Sequence, residues 1–214
     1  MNSNLVKNNF FNKSIGNINS RPFLNSEVTS QILYGEKFKI LSKNKGWVKI
    51  KTRYDNYTGF IKSHKFLKKF KPTNKVYKLR SRIFRKKDNK FFKTKNFLYF
   101  GSGISVISKS KGFFEFEKDK WIKICDTKKI NHLEKNLIKI IKLFLNVKYL
   151  WGGKSSEGID CSALIQIFFY YNRIFFPRDT KDQLKYFKKI SDRKNLKKKI
   201  IFWKGHVAYC LNKK

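Results

Sequence analysis

The chain has 214 residues, enough for one large domain or two to three small ones. Apolar residues make up 41 % and aromatics 17 %, which excludes a globally disordered chain. The formal net charge is +37, from 51 basic and 14 acidic residues, but arginine stands at only eight positions. Phosphate recognition favours arginine forks, so the charge reads as lysine enrichment of tolerant surface and no specific nucleic-acid partner is expected.

Three cysteines, Cys125, Cys161 and Cys210, are odd in number and widely spaced. Neither a disulfide framework nor a paired metal-ligand pattern is present, so no metal and no cofactor is expected. The N-terminal stretch MNSNLVKNNFFNKSIGNINS lacks an apolar run of signal-peptide length. No segment reaches the ~18 apolar residues of a membrane helix. The expected location is the cytoplasm, with no membrane partner.

Residues 1–22 are Asn-rich and polar and read as an N-terminal arm. Residues 23–71 read as a first unit of short strands. In EKFKIL, Phe38 and Ile40 share a face; GWVKIK alternates through Val48 and Ile50. Residues 72–129 form a second unit that copies the first. ILSKNKGW at Ile40–Trp47 returns 66 residues later as VISKSKGF at Val106–Phe113, and Gly35 returns as Gly101. Phe38, Val48 and Ile50 return as Ile104, Phe114 and Phe116. A repeat of this length in short strands predicts two small tandem β-barrels.

Residues 130–214 form an α+β region. HLEKNLIKIIKLFL carries Leu133, Leu137, Ile140, Ile141, Phe144 and Leu145 at helical spacing, which predicts an amphipathic helix. A second helix is expected from Cys161 to about Asn172, with Pro177 ending any continuation. DTKDQLKYFKKI reads as a short helix that Asp179 could cap, and the end reads as strands around Gly205.

The chemistry concentrates in YLWGGKSSEGIDCSALIQ. Asp160 is a good N-cap, so Cys161 falls in a first helical turn, where free amides and the helix dipole favour a thiolate. The glycines at 152, 153 and 158 would let backbone approach a ligand. A nucleophilic thiol needs a base. His64 belongs to the first β unit, His132 reads as a surface or capping residue, and His206 lies in the same region as Cys161. In a strand, His206, Ala208 and Cys210 would share a face opposite Val207, Tyr209 and Leu211. Spacing alone leaves His206 open between a base and a buried histidine satisfied by its neighbours.

YLWGGKSSEGIDCSALIQ, FPRDTKDQ and FWKGHVAY, in that order, resemble the NlpC/P60 family of cell-wall cysteine peptidases. The tandem β units are similar to the bacterial SH3-like domains that precede the catalytic domain in one branch of it. The resemblance implies a papain-like catalytic domain with Cys161 as nucleophile and His206 as general base and acid. It implies cleavage of a peptidoglycan stem peptide, L-Ala-γ-D-Glu-diamino acid, at the γ-D-glutamyl–diamino acid bond. Asp160 and Ser162 occupy positions that hold the free amine of the terminal L-alanine. Tyr149 and Trp151 belong to the turn that lines the cleft, and Tyr57 is the candidate aromatic residue from the first SH3-like unit. Pro177, Arg178, Asp179 and Gln183 match a block read as structural. Only eight residues follow His206, too few for the strand that carries the family's third catalytic residue. The expectation is therefore a C-terminally shortened peptidase domain with impaired turnover, or a wall-peptide-binding protein that keeps the fold.

Overall fold

The computed structural model describes residues 8–188 and 199–211. The first unit contains β1 (Asn9–Phe10), β2 (Ile15–Asn19), β3 (Val28–Leu33), β4 (Lys37–Asn44), β5 (Trp47–Thr52) and β6 (Thr58–Lys62). They form one sheet in the order β1-β4-β5-β6-β2-β3, all pairs antiparallel. Inward residues alternate along each strand and meet in a core that includes Phe11, Ile18, Ile32, Phe38, Ile50 and Ile61. Each such burial is worth roughly 1.5–3 kcal/mol.

This corrects the expected N-terminal arm. Residues 9–19 carry β1 and β2. Phe11 and Ile18 are buried in the first core, and the Phe10 amide donates to the Leu67 carbonyl at 2.9 Å. The polar composition of the stretch concealed these few anchoring apolar residues. Residues 1–7 lie outside the described residues.

The second unit contains β7 (Asn74–Val76), β8 (Arg80–Lys87), β9 (Lys90–Tyr99), β10 (Gly103–Ile104), β11 (Ser108–Ser110), β12 (Phe113–Glu117), β13 (Lys120–Lys123) and β14 (Thr127–Lys129). They pair as β10-β7-β14 and β11-β12-β13-β8-β9. Neither unit closes its hydrogen-bonded strands into a complete barrel among the described residues.

The 66-residue repeat is visible in the backbone. β4 and β5 meet at Asn44 opposite Trp47, and β11 and β12 meet at Ser110 opposite Phe113. Both hairpins turn through Lys-Gly with positive φ: Lys45 at 33° and Gly46 at 81°, Lys111 at 43° and Gly112 at 82°. Two positive φ values in a two-residue loop match the right-handed twist of the flanking strands. Phe38 and Ile50 lie in the first core; their counterparts Ile104 and Phe116 lie in the second.

The third region contains α1 (Leu137–Leu143), β15 (Lys154–Ser155), β16 (Gly158–Ile159), α2 (Cys161–Tyr171), α3 (Thr180–Gln183), β17 (Ile200–Trp203) and β18 (His206–Tyr209). The first helix is shorter than its apolar spacing predicts. Asn136 caps α1 by accepting from the Lys139 amide at 3.2 Å. Glu134 lies outside α1: the Tyr77 hydroxyl donates to it at 2.6 Å, and its amide donates to Asn172 Oδ1 at 2.9 Å. Leu133 and Leu145, at the ends of the expected helix, are exposed. α3 begins after Asp179, whose side chain makes no cap hydrogen bond, and the predicted continuation beyond residue 188 lies outside the described residues until 199. β17 and β18 form a hairpin turning at Lys204-Gly205. No helix among the described residues is long and apolar enough to cross a membrane.

Candidate active site

Cys161 begins α2, directly after Asp160, as the capping pattern predicts. Asp160 Oδ1 accepts from the Ala163 amide at 2.8 Å, and Oδ2 accepts from the Gly152 amide at 3.0 Å. The Cys161 side chain is partly exposed and packs against a small core of Ile165, Phe176 and Val207. Val207 and Tyr209 turn toward this core together with Ile200 and Phe202 from the paired strand. By alternation, His206 and Ala208 lie on the other face of the hairpin.

Cys161 thus packs beside the strand that His206 opens, but no hydrogen bond joins the two side chains. The His206 ring lies against Trp203, with ring centroids 4.8 Å apart. The cross-strand pairing of Trp203 with His206 produces this contact.

Asp160 is held mainly by Arg178. Its Nη1 donates to Asp160 Oδ1 at 3.0 Å and its Nη2 donates to Oδ2 at 2.5 Å, a two-pronged contact. Arg178 Nη1 also donates to Ser162 Oγ at 2.7 Å, and its Nε donates to Ser30 Oγ at 3.0 Å. Burial opposes the guanidinium charge, but the Asp160 carboxylate overrides it, and the Arg178 pKa is raised. Ser162 donates back to Asp160 Oδ1 at 3.1 Å. Gln183 Nε2 donates to the Ser162 carbonyl at 2.9 Å and to the Pro177 carbonyl at 3.0 Å, which ties the Phe-Pro-Arg-Asp block to the start of α2.

The first β unit forms one wall. Trp151 Nε1 donates to Glu27 Oε1 at 2.7 Å, and Lys154 N donates to Gln31 Oε1 at 2.8 Å. Gln166 Nε2 donates to Asp55 Oδ2 at 2.9 Å. Lys154 Nζ and Glu36 Oε1 form a buried ion pair at 3.0 Å. Burial pushes the Glu36 carboxyl up, and Lys154 offsets only part of that cost. Gly152, at φ +72°, fits closely here: a Cβ on it would stand 2.3 Å from the Val28 carbonyl oxygen. A Cβ on Gly153 would stand 2.4 Å from the Gly158 carbonyl oxygen. This corrects the expectation that these glycines admit a ligand. They admit the protein's own backbone.

Tyr149 and Trp151 are exposed at the mouth. Partial burial raises the Tyr149 pKa, with the adjoining Cys161 and Asp160 adding to it and Arg178 opposing. Tyr57 packs on the first core, and its hydroxyl donates to the Thr29 carbonyl at 3.4 Å. Burial is the main cause of its raised pKa, with Asp179 adding to it and Arg178 opposing.

Residues 146–214 match the model of the NlpC/P60 family, and residues 20–66 match that of the bacterial dipeptidyl-peptidase Sh3 domain. The chain carries an NlpC/P60 domain behind a bacterial SH3 domain.

The chain is similar to the gamma-D-glutamyl-L-lysine dipeptidyl-peptidase of Bacillus subtilis, 26 % identical over 182 residues. That match takes in 74 % of this chain and 58 % of the relative's length. Dipeptidyl-peptidase 6 of Lysinibacillus sphaericus is 23 % identical over 92 % of this chain and 82 % of its own. A solved NlpC/P60 protein from Bacillus cereus covers 94 % of this chain and 86 % of its own, with a TM-score of 0.74 and 18 % identity. This last likeness shows a shared fold. The two curated relatives are both named as dipeptidyl-peptidases.

In the NlpC/P60 domain, the structure brings Cys161, Asp160, Ser162 and Tyr149 to one end of α2, with Trp151 on the adjoining turn. His206 is on the neighbouring hairpin. Sequence reasoning missed the part played by Arg178, reading it as scaffold only. The scarcity of arginine, in a chain where lysine fills the surface, was the available signal. Ser30, Gln31, Glu27 and Asp55 carried no signal, because their partners are more than 100 residues away.

Proposed function

We propose that the chain is a cysteine peptidase that hydrolyses peptidoglycan stem peptides at the γ-D-glutamyl–diamino acid bond. One observation supports this reading most: a partly exposed cysteine opens α2 of an NlpC/P60 domain, beside a carboxylate and a hydroxyl held by a buried arginine. The Bacillus subtilis relative is named for a γ-D-glutamyl-L-lysine peptide.

In this reading the Cys161 thiolate attacks the γ-D-glutamyl carbonyl carbon, and the Cys161 amide, in the first turn of α2, takes part in binding the oxyanion. Collapse breaks the C–N bond, and His206 gives its proton to the departing amine. Water, deprotonated by His206, then attacks the thioester and releases the thiol. The β17–β18 hairpin must shift so that His206, which lies on its other face, comes to the Cys161 side when substrate fills the cleft; catalytic hydrogen bonds commonly tighten only in the complex. Asp160 and Ser162 receive the amine of the terminal L-alanine, and Tyr149, Trp151 and Tyr57 line its approach. Action on released peptides in the cytoplasm is part of this proposal.

A second reading, a wall-peptide-binding protein without turnover, draws on the tilted contact of the His206 ring with Trp203. Hydrolysis of L-Ala-γ-D-Glu-diaminopimelate, followed by release of the dipeptide, separates the two. Turnover is expected in the native chain and should fall by at least ~10³-fold in Cys161→Ala, by the scale of nucleophile losses elsewhere. Binding of the tripeptide by the native chain without any hydrolysis between pH 5 and 9 favours the second reading.

A further inference from the structure

We propose that the cleft where the two β units meet the far end of α2 is a binding site for a small phosphorylated ligand. The cavity has a volume of about 590 Å³. Its cations come from separate segments: Lys37 and Arg53 from the first unit, Lys71 from the link before β7, Lys75 from β7, and Arg173 just beyond α2. Two of the chain's eight arginines face this one cavity, in a protein that uses lysine nearly everywhere else. Arginine presents a planar fork that matches phosphate oxygens.

The single lining carboxylate, Glu36, is committed to Lys154. Lys75 is only 2 % exposed and has no carboxylate partner among the described residues. Its ammonium donates to the Tyr171 carbonyl at 2.6 Å and lies 3.9 Å from the centroid of the Tyr171 ring. Compensating the carbonyl end of α2 explains one of its three donors and leaves the others available. Burial pulls its pKa down to about 8, and the neighbouring Arg173 charge adds to the effect. A buried cation without an anion is costly, and a bound anion relieves that cost. The Tyr54 hydroxyl, on the same wall, is buried and has no hydrogen-bond partner among the described residues. Tyr54, Tyr170 and Phe175 add aromatic surface beside the charges, which suits a ligand larger than a bare ion.

The site is separate from the thiol. α2 has 11 residues, so its two ends lie on the order of 15 Å apart at 1.5 Å per residue. The proposal stands independently of the peptidase reading.

Calorimetric titration of the full chain at moderate salt, with inorganic pyrophosphate, ADP and adenosine, tests it. Saturable one-to-one binding of pyrophosphate or ADP, and none of adenosine, is expected. Tighter binding of ADP assigns a nucleotide; equal binding assigns the phosphate groups alone. The double variant Arg53→Gln/Arg173→Gln removes two exposed side chains and should weaken binding by about tenfold or more. The control Lys43→Gln/Lys109→Gln removes the same charge from strands away from the cavity and should change affinity by less than about twofold, because distant surface charges are screened. Absence of saturable binding, or equal weakening in the two double variants, would overturn the proposal.

Discussion

The two β units share a hairpin and a 66-residue offset, yet they meet the NlpC/P60 domain differently. The first unit reaches the candidate site: Glu27, Ser30, Gln31, Glu36 and Asp55 all bond to the NlpC/P60 domain. The second unit supports the far side, through Lys75 to Tyr171 and Tyr77 to Glu134, and touches the β15–β16 turn through Tyr99 to Glu157. Its contacts hold the C-terminal end of α2 and the approach to α1. The difference teaches that a repeat copies the core and the turn, while outward-facing residues are free to diverge. Inward positions are constrained by packing; surface positions answer to whatever each copy touches.

The largest expected effect tests this asymmetry directly. Arg178→Met leaves the Asp160 carboxylate buried without its partner, which should cost roughly 3–5 kcal/mol of stability. Lys75→Met strands only a carbonyl and should cost about 1–1.5 kcal/mol or less. Urea unfolding of the full chain compares them, and equal losses would erase the distinction between the two interfaces.

A smaller effect is expected from two glycines. Gly112 and Gly152 both hold positive φ, but a Cβ on Gly112 meets open space while one on Gly152 meets the Val28 carbonyl. Gly112→Ala should cost about 1–2 kcal/mol from the backbone alone. Gly152→Ala should cost roughly 1–3 kcal/mol more, because the first unit must shift. Thermal unfolding of the two variants measures the gap, and a vanishing gap would mean that the Val28 contact yields easily.

A pH dependence belongs to the second interface. The Lys75 pKa falls from 10.5 to about 8 on folding, chiefly through burial. Below pH 8 the group is charged in both states and the folded state carries the full penalty. Between about pH 8 and 10.5 the unfolded chain holds the extra proton, so this contribution to stability rises with pH. The stability difference between native chain and Lys75→Met should shift in favour of the native chain across that window. A flat difference would place Lys75 in contact with water.

Much of this was legible in the residues themselves. The repeat, both Lys-Gly turns, the Asp160 cap with Cys161 behind it and the hairpin at Gly205 depend on neighbours a few positions away. Alternation, capping and turn chemistry act over such distances. The extent of α1 was misread because Glu134 is claimed by Tyr77 and Asn172 rather than by a helix. The polar N-terminal stretch was misread because two buried residues, Phe11 and Ile18, anchor it in the first sheet.

The sequence by itself determined the family likeness, the two-copy β architecture and the placing of a thiol at a helix start. The tertiary structure alone decided what holds that thiol's neighbours. Arg178 and Ser30 are 148 residues apart, and their contact depends on how two separately built cores dock. Docking is set by burial and charge pairing across surfaces that no local pattern records, so the role of Arg178 emerged only from the folded chain.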